Sequence, residues 1–532
     1  MAYRGFTVKL PVGAQGFTGT RNPSQAGPGH LTFVDGVELY GGILRKEGGA
    51  EKFNASAISG DPTIISGINW SPAAGVTHDV IVTSDGDVLK DTGAGTFGTT
   101  LDSGLIADRD PPPLFVTAGG EAVAEPRKLF LFSASNQVGI VAGTADTMAA
   151  ISDPPVDWDG GAFPTFGVLH ASRMWGGGNA SDPHRIYFTS VGDHEDYLDG
   201  GTLSIYPGEG EGLVGGISFR GALVLWKYPS GIYVVNTTDP SPANWTVSRI
   251  TRAVGSLNQH VIVQIDNDVL YMDYAGNIHA LSATQEFGDM STSNISRGSD
   301  IEPFMQDNVN RLLLKRAVGT WYASKRQAWF CITTLGNVDN DLRVVLGFEQ
   351  QQSGLRFFMS RRDKSPSIWL RPSSEDLVPR PSIGDNEGFV WNLDTEARNK
   401  DGDAYQMRFE TANSDLQFAD PGLATRMKSG QFLEIATEPR GDWDLTVELY
   451  WDDILTDVLQ FNMGGAGSPL GSFTLDTDVL GSEAIASQRQ RVTGSGRRVR
   501  LIGYNNGEGQ DVSVAEFFLS FGVMDERIRE AS

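Results

Sequence analysis

Asp182, Pro183 and His184, followed by Gly192, Asp193, His194, Glu195 and Asp196, form the densest set of proton-transferring or metal-ligating groups in this 532-residue chain. Acid–base catalysis or metal binding needs two or three such groups on one rigid face, and no histidine pair stands at i and i+4 on a helical stretch. Acidic residues beside Pro and Gly are ordinary in strand connections, so the segment reads as a solvated loop, with a ligand site as the alternative. Gly210-Glu211-Gly212-Leu213-Val214-Gly215 has the glycine spacing of a dinucleotide-binding turn. No strand–turn–helix unit surrounds it, and Glu209 and Glu211 would repel a pyrophosphate, so it reads as a turn feeding the strand before Trp226. Asp266-Asn267-Asp268, Val338-Asp339-Asn340-Asp341 and Asp401-Gly402-Asp403 are acidic turns, none completing a calcium-binding loop with its terminal Glu. The single cysteine, Cys331, excludes an intramolecular disulfide and a cysteine zinc cluster, and reads as a structural thiol in a strand. The expectation is a protein that is not an enzyme, with no catalytic, cofactor-binding or metal-binding residues and no cofactor.

Two basic clusters remain, Arg361-Arg362-Asp363-Lys364 and Arg497-Arg498-Val499-Arg500. In the second, strand alternation places Arg498 and Arg500 opposite Val499 and Leu501, which predicts exposed charge on an edge strand or contact with an acidic neighbouring subunit. They sit in a chain whose net charge is −24. Such a surface repels nucleic acid over most of its area and argues against a DNA-wrapping or DNA-reading protein, while acidic walls suit a channel through which DNA slides. The amino terminus lacks a signal-peptide core and no run approaches ~18 apolar residues, so the expectation is synthesis in a cytoplasm without a membrane-spanning segment. On that reading the sequons at Asn54, Asn179, Asn236, Asn244 and Asn294 are chance matches.

The elements that position these groups are strands. With 64 glycines, 25 prolines, 40% hydrophobic and 10% aromatic residues, the composition fits a folded, turn-rich chain. Tyr405, Met407 and Phe409 alternate with Gln406, Arg408 and Glu410, the period of a half-buried strand. Hairpin turns are expected at Asp85-Gly86, Ser135-Asn136, Pro229-Ser230, Gly276-Asn277, Lys325-Arg326, Ser353-Gly354 and Asp401-Gly402, mostly ~50 residues or a multiple apart, the spacing of β-propeller blades. One helix is expected over 300–317, opened by a capping box of Ser299 and Glu302. Trp443, Leu445, Val447, Leu449 and Trp451 line one face of a later strand, and Phe517, Leu519, Phe521 and Val523 another, which suits a β-sandwich. Residues 1–60 show little alternation, and their six basic residues outnumber four acidic ones, against the trend of the chain. The predicted architecture is therefore all-β: an irregular N-terminal assembly arm over 1–60, a propeller over 61–404 and a sandwich-like domain over 405–532.

The order of these pieces resembles the tail hub, nozzle or packaged-DNA stabilisation proteins of short-tailed bacteriophages. The resemblance begins with Gly16-Phe17-Thr18-Gly19-Thr20-Arg21-Asn22-Pro23, the run from Gly29 to Glu38, and Gly42-Ile43-Leu44-Arg45-Lys46-Glu47-Gly48-Gly49. It continues through Arg185–Asp193, Gly231–Val235, the run from Ile295 to Tyr322, Ala328–Ile332, and Gly388–Asp394 with Phe409-Glu410-Thr411. It implies a structural virion protein, made in the host cytoplasm, forming a homohexamer below the portal and adaptor ring among other tail proteins. That ring would retain packaged genomic DNA and pass it at ejection. The alternative is a propeller-type glycosidase or carbohydrate-binding tail component, for which 66 acidic residues leave room for a carboxylate pair. A host periplasmic propeller is a third, plainer reading, disfavoured by the missing signal peptide.

Overall fold

The computed structural model describes residues 5–20, 22–93, 95–119, 126–209, 212–283, 290–298, 301–348, 356–361, 363–373, 376–464 and 485–524. Successive apolar-rich strands joined by tight turns pair with their immediate neighbours, and this builds seven four-stranded antiparallel sheets. Blades 1 to 6 span residues 64–102, 114–150, 166–204, 212–251, 263–294 and 318–360. Blade 7 takes three strands from residues 367–395 and its outermost strand, Gly49–Lys52, from far upstream. The first strand of each blade is the innermost. These contact one another around a ring, directly or through the turn Gln259–Val261, and Ser367–Pro372 of blade 7 returns to Ile64–Ala73 of blade 1. The fold is a seven-bladed β-propeller closed by the outer strand of its last blade.

Closure demands close backbone approach. A Cβ on Gly49 would sit 2.7 Å from the Asn399 carbonyl oxygen, and one on Gly48 2.5 Å from the Asp394 Cα, so both positions require glycine. Between blades, aromatic and aliphatic side chains form the core, including Trp70, Trp175, Trp226 and Tyr271, all buried. Each such side chain contributes roughly 1.5–3 kcal/mol of apolar burial.

Residues 1–60 differ from the expected irregular arm. Gly5–Leu10 pairs with Ser513–Val523, from Gly5 against Gly522 to Leu10 against Phe517. His30–Asp35 pairs with Met407–Thr411, and Ile43–Lys46 joins Ser513–Val523. The two ends of the chain thus interleave in a seven-stranded and a six-stranded sheet, and the propeller is an insertion between them. The sandwich faces pack as their alternation predicts. Leu445, Val447, Leu449, Trp451, Phe517, Leu519 and Phe521 are all buried, and Phe409 meets Phe517 edge to face at 6.0 Å. The weak alternation of short strands such as Gly16–Phe17 explains why residues 1–60 do not read as sheet.

Three further expectations are corrected. Asp401-Gly402 is not a hairpin, because Val390–Thr395 belongs to blade 7 and Met407–Thr411 to the sandwich. The helix over 300–317 is instead α1 (Ile295–Gly298), α2 (Glu302–Asn308) and a 3-10 turn at Leu314–Arg316, with Leu312 exposed. Ile301 precedes α2 without a side-chain cap, and Ser299 lies outside the described residues. The strand Val499–Asn505 is interior to the six-stranded sheet, between Met407–Thr411 and Asp444–Trp451, and not at its edge. The turns at Asp85-Gly86, Ser135-Asn136, Pro229-Ser230, Gly276-Asn277 and Lys325-Arg326 do join paired strands, while Ser353-Gly354 lies outside the described residues.

Candidate functional site

Two places concentrate charge on defined geometry, the seam between sandwich and propeller and the mouth of the propeller axis. At the seam, Gly16–Phe17, His30–Asp35 and Val37–Tyr40 of the sandwich lie on Arg356–Ser360, the outermost strand of blade 6. Gly16, at φ +72°, brings the two backbones together, since a Cβ there would lie 2.9 Å from the Phe357 carbonyl oxygen. Phe17 packs edge to face on Phe304 of α2 at 5.3 Å.

A chain of charges crosses this seam. Lys325, in the first turn of blade 6, donates to Glu38 of the sandwich at 2.7 Å and to Asp394 of blade 7 at 2.6 Å. The Tyr322 hydroxyl donates to the other oxygen of Asp394 at 2.7 Å. Arg398 lies 3.9 Å from Glu38 and 3.3 Å from Asp511, and Glu438 pairs with Arg45 at 2.8 Å and Arg440 at 2.9 Å. Burial pushes the Glu38 carboxyl above its ordinary range despite Lys325. Burial alone would lower the Lys325 ammonium, but Glu38 and Asp394 hold it above its usual value. Nearby, buried Arg343 pairs with Glu47 and stacks over Trp329 at 4.5 Å, while Lys400 reaches Asp363 at 3.2 Å. Buried Lys46 donates to the Asn505 side chain at 3.0 Å and the Gly507 carbonyl at 2.8 Å. Such a network tolerates little displacement, because each charge left without its partner costs several kcal/mol.

At the axis, residues 103–113 lead from the outer strand of blade 1 to the inner strand of blade 2. On the way they reach the far side of the ring. Arg109 pairs with Asp339 of blade 6, and Arg316, just before blade 6, grips Asp110 at 2.9 and 3.2 Å. The Nε2 of His260, at the entry to blade 5, donates to the Pro112 carbonyl at 3.1 Å. Desolvation lowers the affinity of half-buried His260 for a second proton. In a seven-membered ring, blade 5 lies opposite blades 1 and 2, so the segment crosses the axial opening.

The residues singled out from sequence are mostly dispersed. Asp182 and His184 occupy the turn before Arg185–Phe188, with Asp182 paired to Arg185 at 2.9 Å and His184 Nδ1 3.3 Å from Lys227 Nζ. Asp193, His194, Glu195 and Asp196 follow the same strand at its other end, where Glu195 pairs with Lys128 at 2.7 Å. Among the described residues, no group of three or more His, Cys, Asp or Glu is placed to hold a metal ion. Gly212 to Gly215 lie in the inner strand of blade 4, and Gly210 and Glu211 lie outside the described residues. Of the acidic turns, Asp266 meets Arg326 at 2.8 Å, Asp341 accepts from Thr334 at 2.7 Å and Asp401 faces Lys52 at 3.5 Å. Cys331 is buried, its thiol pushed up to about 11 by desolvation.

The basic residues serve the seam and the sandwich. Arg361 donates from its backbone to Asp35 at 2.8 Å and stacks over Phe33 at 5.3 Å, and Arg362 lies outside the described residues. Arg500 lies over Tyr450 at 4.6 Å and 3.5 Å from Glu410. The backbone amides of Arg497 and Arg498 donate to Asp452, and the Arg498 side chain donates to Ser24 at 2.7 Å. Sequence reasoning missed Glu38, Lys325, Asp394 and the axial segment. The first three are single charges far apart in the chain. The axial segment did carry a signal in Asp108-Arg109-Asp110-Pro111-Pro112-Pro113, three charges followed by three prolines that restrict the backbone.

No family model and no curated protein matches the chain. Among solved structures, the crystal structure of BamB from Moraxella catarrhalis is similar at 12% identity, with a TM-score of 0.36 over 67% of this chain and 95% of that chain.

Proposed function

We propose that the protein is a structural tail hub or nozzle subunit of a short-tailed bacteriophage. In this reading six copies form a ring below the portal and adaptor, retain packaged DNA and conduct it during ejection, without covalent chemistry. The observation that carries the reading, beside the sequence resemblance, is the seam. A propeller and a sandwich locked by buried ion pairs make a stiff two-part block, and stiffness suits a subunit whose contacts must close by rotation. The conduit belongs between copies, since residues 103–113 cross each propeller's own axis. A lining that binds DNA weakly follows from the net charge of −24, because phosphate affinity comes from clustered lysines and arginines.

Electron microscopy of the purified assembly tests the reading. A sixfold ring with a central hole is expected, and particles that stay monomeric in the presence of the portal and adaptor overturn it. Free protein is expected to bind DNA more weakly than micromolar at ~150 mM salt, and tighter binding would redirect attention to Arg361, Arg497, Arg498 and Arg500. Release of reducing ends from host surface polysaccharide would favour a glycosidase instead.

A further inference from the structure

We propose that residues 103–113 are a polar latch over the propeller axis, a strap whose release uncovers the axial opening while the seven blades stay folded. Blades 1 and 2 are neighbours, so a connection between them has no topological need to touch the far side of the ring. This one does so at three points, through Arg109 to Asp339, Asp110 to Arg316, and Pro112 to His260. Its near end is pinned separately. The Leu105 amide donates to the Gly86 carbonyl at 3.0 Å, and Ile106 and Asn136 exchange two hydrogen bonds at 2.9 and 2.8 Å.

What holds the strap differs in kind from what holds the blades. Residues 103–111 are exposed or half-buried, with Ile106 63% exposed and Leu105 and Ala107 only partly packed on the core. Burial is confined to Pro112 and Pro113 at the end that enters blade 2, whereas the strands beneath carry fully buried Leu129, Phe130 and Phe132. Contacts made of partly exposed ion pairs and hydrogen bonds open locally at low free energy, and salt weakens them by screening. Apolar blade packing is not weakened by screening. Moderate salt, or loss of one charge, therefore frees the strap before it loosens a blade.

Trypsin reports the state of the strap in the full chain, because cleavage after Arg109 needs that segment to leave the surface. Arg316→Ala and Asp339→Asn are each expected to raise the initial rate of that cut roughly threefold, and the double variant about tenfold. Added salt at ~0.5 M is expected to move the wild type in the same direction. Hydrogen exchange of the Lys128–Ser133 amides is expected to stay unchanged throughout. Asp110→Asn, nearly isosteric, supplies the same readout if Arg316→Ala does not fold. A cutting rate indifferent to both variants and salt overturns the latch. So does a rise accompanied by faster exchange in Lys128–Ser133, which would mean that the whole propeller loosens. The assay needs neither ring nor DNA, so its outcome is separate from that of the proposed tail function.

Discussion

The propeller and the sandwich are both antiparallel β structures, but they are assembled over different distances along the chain. Among the described residues, every strand pair within blades 1 to 6 joins consecutive strands, and one long-range strand, Gly49–Lys52, closes the ring. The sandwich relies on pairings such as Gly5–Leu10 with Ser513–Val523, so it cannot form until the whole propeller has been made. Local pairing costs little loop-closure entropy and leaves a repeating pattern, whereas terminal pairing costs more and leaves none. Folding order is therefore written into the topology, with the blades able to form as the chain emerges and the sandwich last.

The largest effect is expected from deleting residues 1–46. The deletion removes five strands from the two sandwich sheets while sparing Gly49–Lys52, and it is expected to abolish cooperative folding of the sandwich and leave its buried face exposed. Dye binding and limited proteolysis confined to residues after 405 would report this, and an intact, protease-resistant sandwich would refute it.

Lys325→Met attacks the seam between the two parts. It leaves Glu38 and Asp394 facing each other without their shared cation, at an expected cost of about 3–5 kcal/mol in denaturant unfolding. If Glu38→Gln combined with Lys325→Met does not recover part of that loss, the network is not the coupling element.

A pH titration separates the parts more finely. Lys428 begins a central sandwich strand, fully buried, with its ammonium donating to the Arg426 and Arg497 carbonyls at 3.2 and 2.6 Å. Desolvation pulls its pKa down to about 8, below its unfolded value. Between those two values the unfolded chain binds the extra proton, so stability rises as pH increases from about 8 toward the unfolded pKa. The gain is expected on the order of 1–2 kcal/mol in the sandwich transition. It should vanish in Lys428→Met, and a flat wild-type profile over that window would count against the assignment.

The smallest effect belongs to the surface. Lys9 and Glu516 pair at 2.5 Å across the first and last strands, but both are well exposed. Lys9→Ala is expected to shift unfolding by at most ~0.5 kcal/mol. A larger loss would mean that terminal pairing depends on this contact and not on the apolar faces of Phe517, Leu519 and Phe521.

Legibility followed the same division. Alternation in Trp443–Trp451 and Phe517–Val523 named the buried faces because a strand's period of two is a local property. Five of the expected turns fell between paired strands for the same reason. Asp401-Gly402 has identical turn chemistry, yet its flanking strands go to different sheets, and nothing local distinguishes a hairpin from a crossing. The helix over 300–317 failed because apolar spacing does not say whether neighbouring blades leave room for five turns. The seam charges were invisible, since Glu38, Lys325 and Asp394 become partners only when three separate elements meet.

Strand identity and inward faces follow from residues within a turn or two of each other, the repeating blade from the spacing of turns along the chain, and the acidic charge from composition, so all were legible without a fold. The blade number, the swapped-in outer strand, the sandwich built from both termini, the seam and the strap across the axis were decided by the tertiary structure. Each of these depends on distances closed by other parts of the chain, where burial and ring geometry choose among pairings that local propensity leaves equal.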